Sequence, residues 1–226
     1  MLKTTDRFIK YKVDGSEDIN KYASEDILNL SMYHYTVGWD RSNQGGWQAH
    51  YLDIDNLEWM YVLNSTVESC AREILEYNNP RSEFDLNIYY WLNINYYNTN
   101  NNPHHHSKAT YKPSIDPEDE MRLIDKAYAP EVLSGSYYVK VPENSGDFYI
   151  REKRYSYLNT IFNTNFDTKL DVQEGELVLF WPDVMHGVES NLNKEEPRIS
   201  IAFNIGIKPK DYKLKYIRNG YDCVNE

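Results

Sequence analysis

Two cysteines among 226 residues, Cys70 and Cys223, are too few for a disulfide framework. Neither sits in a Cys-x-x-Cys pair of the kind that binds zinc or exchanges thiols. Basic residues are outnumbered: 24 Lys and Arg against 35 Asp and Glu give a net charge of −11. Such a chain repels nucleic acid and anionic lipid unless its cations cluster, and no cluster stands out, so neither is an expected partner. No apolar run approaches the roughly 18 residues needed to span a bilayer. The opening Met1-Leu2-Lys3-Thr4-Thr5-Asp6-Arg7 holds no apolar signal core. The expectation is a cytoplasmic protein in a reducing compartment, with homo-oligomerisation left open.

What the chain does have is aromatic surface. Aromatics make up 15% of it, with 21 Tyr, and a Tyr ring is apolar except at its tip, so a core can be built. With no internal repeat and no Gly/Ser or Pro linker, residues 1–226 read as one domain. It has a helical part over about 1–80, a strand-rich core over about 84–207, an insertion at 107–131 and a tail at 208–226.

Ile19, Tyr22, Ala23, Ile27 and Leu30 fall on one helical face, with Ser16 as N-cap. Ser65-Thr66-Val67-Glu68 has the form of a capping box. It predicts a second helix carrying Val67, Cys70, Ala71, Ile74 and Leu75 and ending at Asn78-Asn79-Pro80. Cys70 then reads as a small buried apolar residue. From residue 84 the period becomes two, and strands are predicted over Phe84–Tyr96, Val132–Val141, Phe148–Arg151, Glu176–Trp181, Met185–Glu189 and Arg198–Ile207. Short strands divided by turns predict a mostly β, antiparallel sandwich or jelly roll with the N-terminal helices packed outside.

Three elements carry chemistry. His104-His105-His106 follows the first strand; if extended, His104 and His106 point one way and His105 the other, a spacing that puts two imidazoles on one metal. His186 opens a short strand and would face an interior. On Arg198–Ile205, alternation puts Ile199, Ile201, Phe203 and Ile205 on a core face and Arg198, Ser200, Ala202 and Asn204 on the other. A hairpin closing near Leu192-Asn193 would set His186 across from Arg198 to Ser200. An Arg beside a metal ligand suits the carboxylate of a molecule that also chelates the metal.

His-x-His, a later His and Arg-x-Ser on the following strand resemble the 2-oxoglutarate/Fe(II) oxygenases. One group among them is similar over most of 84–207, through Trp91-Leu92-Asn93-Ile94-Asn95, Leu133-Ser134-Gly135-Ser136-Tyr137-Tyr138-Val139, Glu174-Gly175-Glu176-Leu177-Val178-Leu179-Phe180, His186-Gly187-Val188 and Arg198-Ile199-Ser200-Ile201-Ala202-Phe203-Asn204. Gly45-Gly46-Trp47-Gln48 looks like its N-terminal segment. The resemblance implies a double-stranded β-helix with Fe(II) on His104, His106 and His186. It also implies 2-oxoglutarate held by Arg198 and Ser200, with Tyr138 or Asn95 adding a hydrogen bond, and O2 as co-substrate. The implied activity is a dioxygenase, most simply a hydroxylase of an unassigned substrate.

Two departures stand out. The wider family has His-x-Asp where this chain has His106, so the third ligand is His106, His105 or a carboxylate such as Asp116. The 107–131 stretch is longer than in relatives; Met121, Ile124 and Tyr128 line one face of a helix candidate capped by Asp116, which suggests a lid. The competing readings are a cupin-like metalloenzyme without 2-oxoglutarate and a non-catalytic β-sandwich. A cupin calls for a Glu a few residues past His-x-His, where Thr110 and Tyr111 stand. The sandwich leaves Arg198 unexplained.

Overall fold

The computed structural model describes residues 7–33, 42–50, 57–78, 80, 83–106, 131–153 and 165–209. Residues 107–130 of the lid candidate at 107–131, with Asp116, and the tail from 210, with Cys223, lie outside the described residues.

Helix α1 (Ser16–Tyr33) buries Ile19, Ala23 and Ile27, the stripe its spacing predicts. Helix α2 (Glu58–Asn78) starts seven residues before Ser65. Its apolar stripe runs back through Leu63 to Met60 and Trp59, and the Trp59 indole donates to Asp26 of α1 at 2.7 Å. Within the expected capping box, the Thr66 hydroxyl donates to the Val62 carbonyl at 3.0 Å. The motif therefore sits inside a continuous helix, where hydroxyls bond backward along it.

The strands are β1 (Phe8–Lys12), β2 (Asn43–Gln44), β3 (Trp47–His50), β4 (Phe84–Asn95), β5 (Asn100–His104) and β6 (Glu131–Lys140). They continue with β7 (Phe148–Lys153), β8 (Asn165–Leu170), β9 (Glu176–Phe180), β10 (His186–Val188) and β11 (Arg198–Pro209). β11 takes in residues 208 and 209, which the sequence assigned to the tail. They form two antiparallel sheets, one ordered β1-β9-β6-β11-β4-β3 and the other β2-β5-β10-β7-β8. The fold is a jelly roll with helices outside, as the turn-punctuated strands predicted.

The central strands have two buried faces. Ile199, Ile201, Phe203 and Ile205 of β11 join Leu92 and Ile94 of β4, Leu133 and Tyr137 of β6 and the helix stripes in one core. The Tyr137 hydroxyl ties this core to α1 by donating to Asn20 at 2.6 Å. A second core, Tyr138, Phe148, Ile150, Leu170, Val178 and Phe180, fills the space between the sheets. The helix-facing core takes one set of alternating residues, so the other set on β11 looks into the jelly roll.

The expected hairpin of His186 with Arg198 does not form. β10 pairs with β5, His186 opposite His104, and with β7, His186 opposite Ile150. β11 pairs with β4, Arg198 opposite Asn95, and with β6. The intervening segment changes sheets, so His186 and Arg198 meet across the interior instead of along a hairpin.

Candidate functional site

The metal-ligating candidates come from the smaller sheet. β5, Asn100-Asn101-Asn102-Pro103-His104, is polar but for Pro103, and its extended backbone turns His104 inward, while the His106 amide donates to the Pro182 carbonyl at 2.8 Å. His105 is exposed on the opposite side. The paired register of β5 and β10 then brings His186 against His104. Potential ligand atoms of His104, His106 and His186 lie within 4.8 Å of one another. Ring centroids are 4.3 Å apart for His104 and His186, and 5.1 Å for each pair with His106. Among the described residues no carboxylate joins this cluster.

Each imidazole is oriented by a hydrogen bond at Nδ1. His104 meets the Asn102 carbonyl at 2.8 Å, His186 the Val184 carbonyl at 2.9 Å, and His106 the Asn204 Oδ1 at 2.6 Å. An oxygen acceptor at Nδ1 puts the proton there and leaves Nε2 as the free lone pair, the state a metal requires. The buried His106 Nε2 has no partner among the described residues. Burial, reinforced by the neighbouring rings, holds His186 well below the usual imidazole range and His106 down to about 3. Burial also lowers His104, against the opposing pull of its bond to Asn102. Three neutral imidazoles with ligand atoms within 4.8 Å of one another make a donor set suited to Fe(II), Zn(II) or a related divalent ion.

The larger sheet supplies the other wall of the same cleft. Arg198 is 1% exposed. Its Nη1 donates to the Gly146 carbonyl at 3.0 Å, while among the described residues Nε, Nη2 and the buried Tyr138 hydroxyl meet no partner at full hydrogen-bond geometry, although Arg198 and Tyr138 lie close enough to interact. The guanidinium lies 5.2 Å from the centre of the Tyr138 ring. Burial lowers the Arg198 pKa, with Tyr138 and Asp147 opposing, and pushes Tyr138 up to about 12. A buried guanidinium with two unmet donor sites is costly unless an anion completes it, and a carboxylate has two oxygens to do so. Ser200 lines the cleft one position along the same face. Asn95 stands opposite Arg198, but its Nδ2 donates to Asn101 at 3.1 Å and it is not on the cleft wall.

Several lining residues that the sequence showed only as parts of motifs were given no role in the site. Trp91 stacks on His106, centroids 5.9 Å apart and planes at 28°. Gln48 donates to Asn93 at 2.7 Å, and Asn93 stands opposite Ser200. Period two on β4 puts Trp91 and Asn93 on one face; pairing with the Arg198 face is what makes them part of a cleft wall, and that pairing is a tertiary fact.

Residues 126–204 match the family model described as "Putative 2OG-Fe(II) oxygenase". That stretch holds His186, Arg198 and Asn204; His104 and His106 precede it. A comparison with curated protein sequences gives no match. Among solved structures, the chain is similar to a Pseudomonas putida prolyl-4-hydroxylase, with a TM-score of 0.59, 10% identity, and coverage of 89% of this chain and 93% of that one. A Trichoplax adhaerens prolyl hydroxylase, solved with a hypoxia inducible factor peptide, gives 0.60, 16%, 89% and 84%. HygX from Streptomyces hygroscopicus, solved with nickel and 2-oxoglutarate, gives 0.55, 15%, 94% and 89%. Over residues 126–204 the chain is thus similar to the family described as putative 2OG-Fe(II) oxygenases, and the solved structures share its fold.

Proposed function

We propose that this protein is an Fe(II)- and 2-oxoglutarate-dependent oxygenase acting as a hydroxylase. The observation that carries the reading is one cleft with three imidazole ligand atoms on one wall and, on the other, a buried Arg198 with one of its three nitrogens bonded. The first suits a divalent metal; the second suits the far carboxylate of a dicarboxylic acid whose near end chelates that metal.

His104, His106 and His186 would hold Fe(II), each oriented through Nδ1. Arg198 would take the distal carboxylate of 2-oxoglutarate through Nε and Nη2, with Tyr138 and Ser200 as further donors. When bound, iron and 2-oxoglutarate supply O2 activation: one oxygen atom goes to a substrate C–H bond and the other to the succinate formed with CO2. The protein's part is orientation and dryness. The Gly146 carbonyl and the Tyr138 ring fix the guanidinium, Phe148 and Phe180 pack beside His186, and Trp91 covers His106. A neutral three-His set brings no charge to offset the metal, so the dianionic co-substrate does more of that work than in a site with a carboxylate ligand.

Anaerobic addition of Fe(II), then 2-oxoglutarate, then O2 tests the reading. The expected result is metal-dependent 2-oxoglutarate binding and O2-dependent succinate release, even without substrate. Metal affinity unchanged in both His104→Ala and His186→Ala would overturn it.

A further inference from the structure

The geometry points to Asn204 and Glu131 as positioning residues that hold His106 in the tautomer able to ligate a metal through Nε2. His104 and His186 are oriented by the backbone carbonyls of Asn102 and Val184, which cannot turn round. His106 relies on a side-chain amide, and an amide has two ends. If Asn204 presented its NH2 group, His106 Nδ1 would have to accept, the proton would move to Nε2, and the lone pair for the metal would be gone.

Glu131, the first residue of β6, removes that freedom. Its Oε1 accepts from Asn204 Nδ2 at 3.0 Å. Burial raises the Glu131 pKa while the bond from Asn204 lowers it, and in its ionised form the carboxylate can only accept, so the end of Asn204 that faces it is the NH2 group. Oδ1 is thereby turned to His106 at 2.6 Å, and Ser134 Oγ donates to the same oxygen at 2.8 Å. Two hydroxyl or imidazole donors and one carboxylate acceptor thus agree on a single orientation of one amide. The relay crosses the sheet along paired strands, since Asn204 of β11 stands opposite Ser134 of β6. Glu131 also brings a carboxylate two hydrogen bonds away from a donor set that has none, and its second oxygen is buried without a partner.

The inference rests on the metal reading for the significance of Nε2, but the tautomer can be read in metal-free protein. The full chain, labelled with 15N-histidine and stripped of metal at neutral pH, is examined by long-range 1H–15N correlation, with His106→Gln identifying the signal. Wild type should show His106 protonated at Nδ1. Glu131→Gln should keep that pattern, because its amide oxygen still accepts from Asn204. Glu131→Leu should give the Nε2–H form or a mixture. Co(II) titration should show Glu131→Leu weakened about 10-fold or more and Glu131→Gln largely recovered, in line with the usual effect of losing an outer hydrogen-bond partner. A wild-type Nε2–H signal overturns the proposal whatever the variants do. So does a folded Glu131→Leu protein with wild-type tautomer and wild-type Co(II) affinity. A tautomer change in Glu131→Leu with no Co(II) bound by any form upholds the relay and removes the metal reading, so the two failures are separable.

Discussion

Arg198 and the three histidines use burial in opposite senses. Around Arg198 it leaves a charge short of partners, which makes a dicarboxylate welcome. Losing such a contact costs on the order of 2–5 kcal/mol. Arg198→Ala should therefore weaken 2-oxoglutarate binding by at least about tenfold while leaving metal affinity near wild type; isothermal titration in the presence of Mn(II) reads both. Around the imidazoles burial forbids a charge. The unfolded chain titrates its histidines near the usual value of about 6.5, whereas His106 in the fold is held down to about 3. Between those values the unfolded chain binds the extra proton, so stability of the metal-free protein falls as pH falls through that window, by up to about 1.4 kcal/mol per pH unit for one such group. Thermal unfolding followed downward from neutral pH should therefore show a shallower acid loss in His106→Gln than in wild type. Equal slopes would mean that His106 does not stay neutral in the fold.

At the scale of elements, the loop between β6 and β7 sets the Arg198 guanidinium. Gly146 has φ +85 there, and its carbonyl takes Arg198 Nη1 at 3.0 Å. A Cβ at this position would run into the Glu189 carbonyl. Gly146→Ala should cost roughly 1–3 kcal/mol in stability, as overpacked and backbone-strained sites do, and should weaken 2-oxoglutarate binding through the displaced carbonyl. Denaturant midpoints and the same titration check both effects. The elements differ in how far the sequence revealed them. β11 was readable because its two faces have different chemistry, Ile and Phe against Arg, Ser and Asn. His104 and His106 were legible as a pair because alternate residues of an extended run share a face, while the third ligand stayed open among His106, His105 and a carboxylate. β5 was not legible, since Asn100-Asn101-Asn102-Pro103-His104 has no apolar alternation, and β1, β2, β3 and β8 are short or lie at sheet edges where alternation is weak. The start of α2 was misplaced because a local Ser-x-x-Glu signal was outweighed by the packing of Trp59, Met60 and Leu63. The His186–Arg198 pairing failed for a different reason: hairpin proximity is the default between neighbouring strands, and nothing in Asn191-Leu192-Asn193 announces that the chain crosses to the other sheet.

Across the whole molecule, that crossing makes the site a joint between sheets. Metal would be gripped by β5, its flanking His106 and β10 of the smaller sheet, whereas 2-oxoglutarate would span from there to β11 and β6 of the larger one. Ligands that bind only the folded state stabilise it by mass action, about 2.7 kcal/mol at a hundredfold excess over Kd. For a chain of this size, each kcal/mol moves the thermal midpoint by roughly 2–4 °C. Under anaerobic conditions Mn(II) should thus raise Tm by several degrees, and 2-oxoglutarate should add a second increment only when the metal is present. Arg198→Ala should keep the first increment and lose the second. His186→Ala should lose both, because without the metal the co-substrate has an anchor at one end only. A 2-oxoglutarate increment in metal-free wild type, or one that survives in Arg198→Ala, would mean that the acid binds somewhere other than between the two sheets.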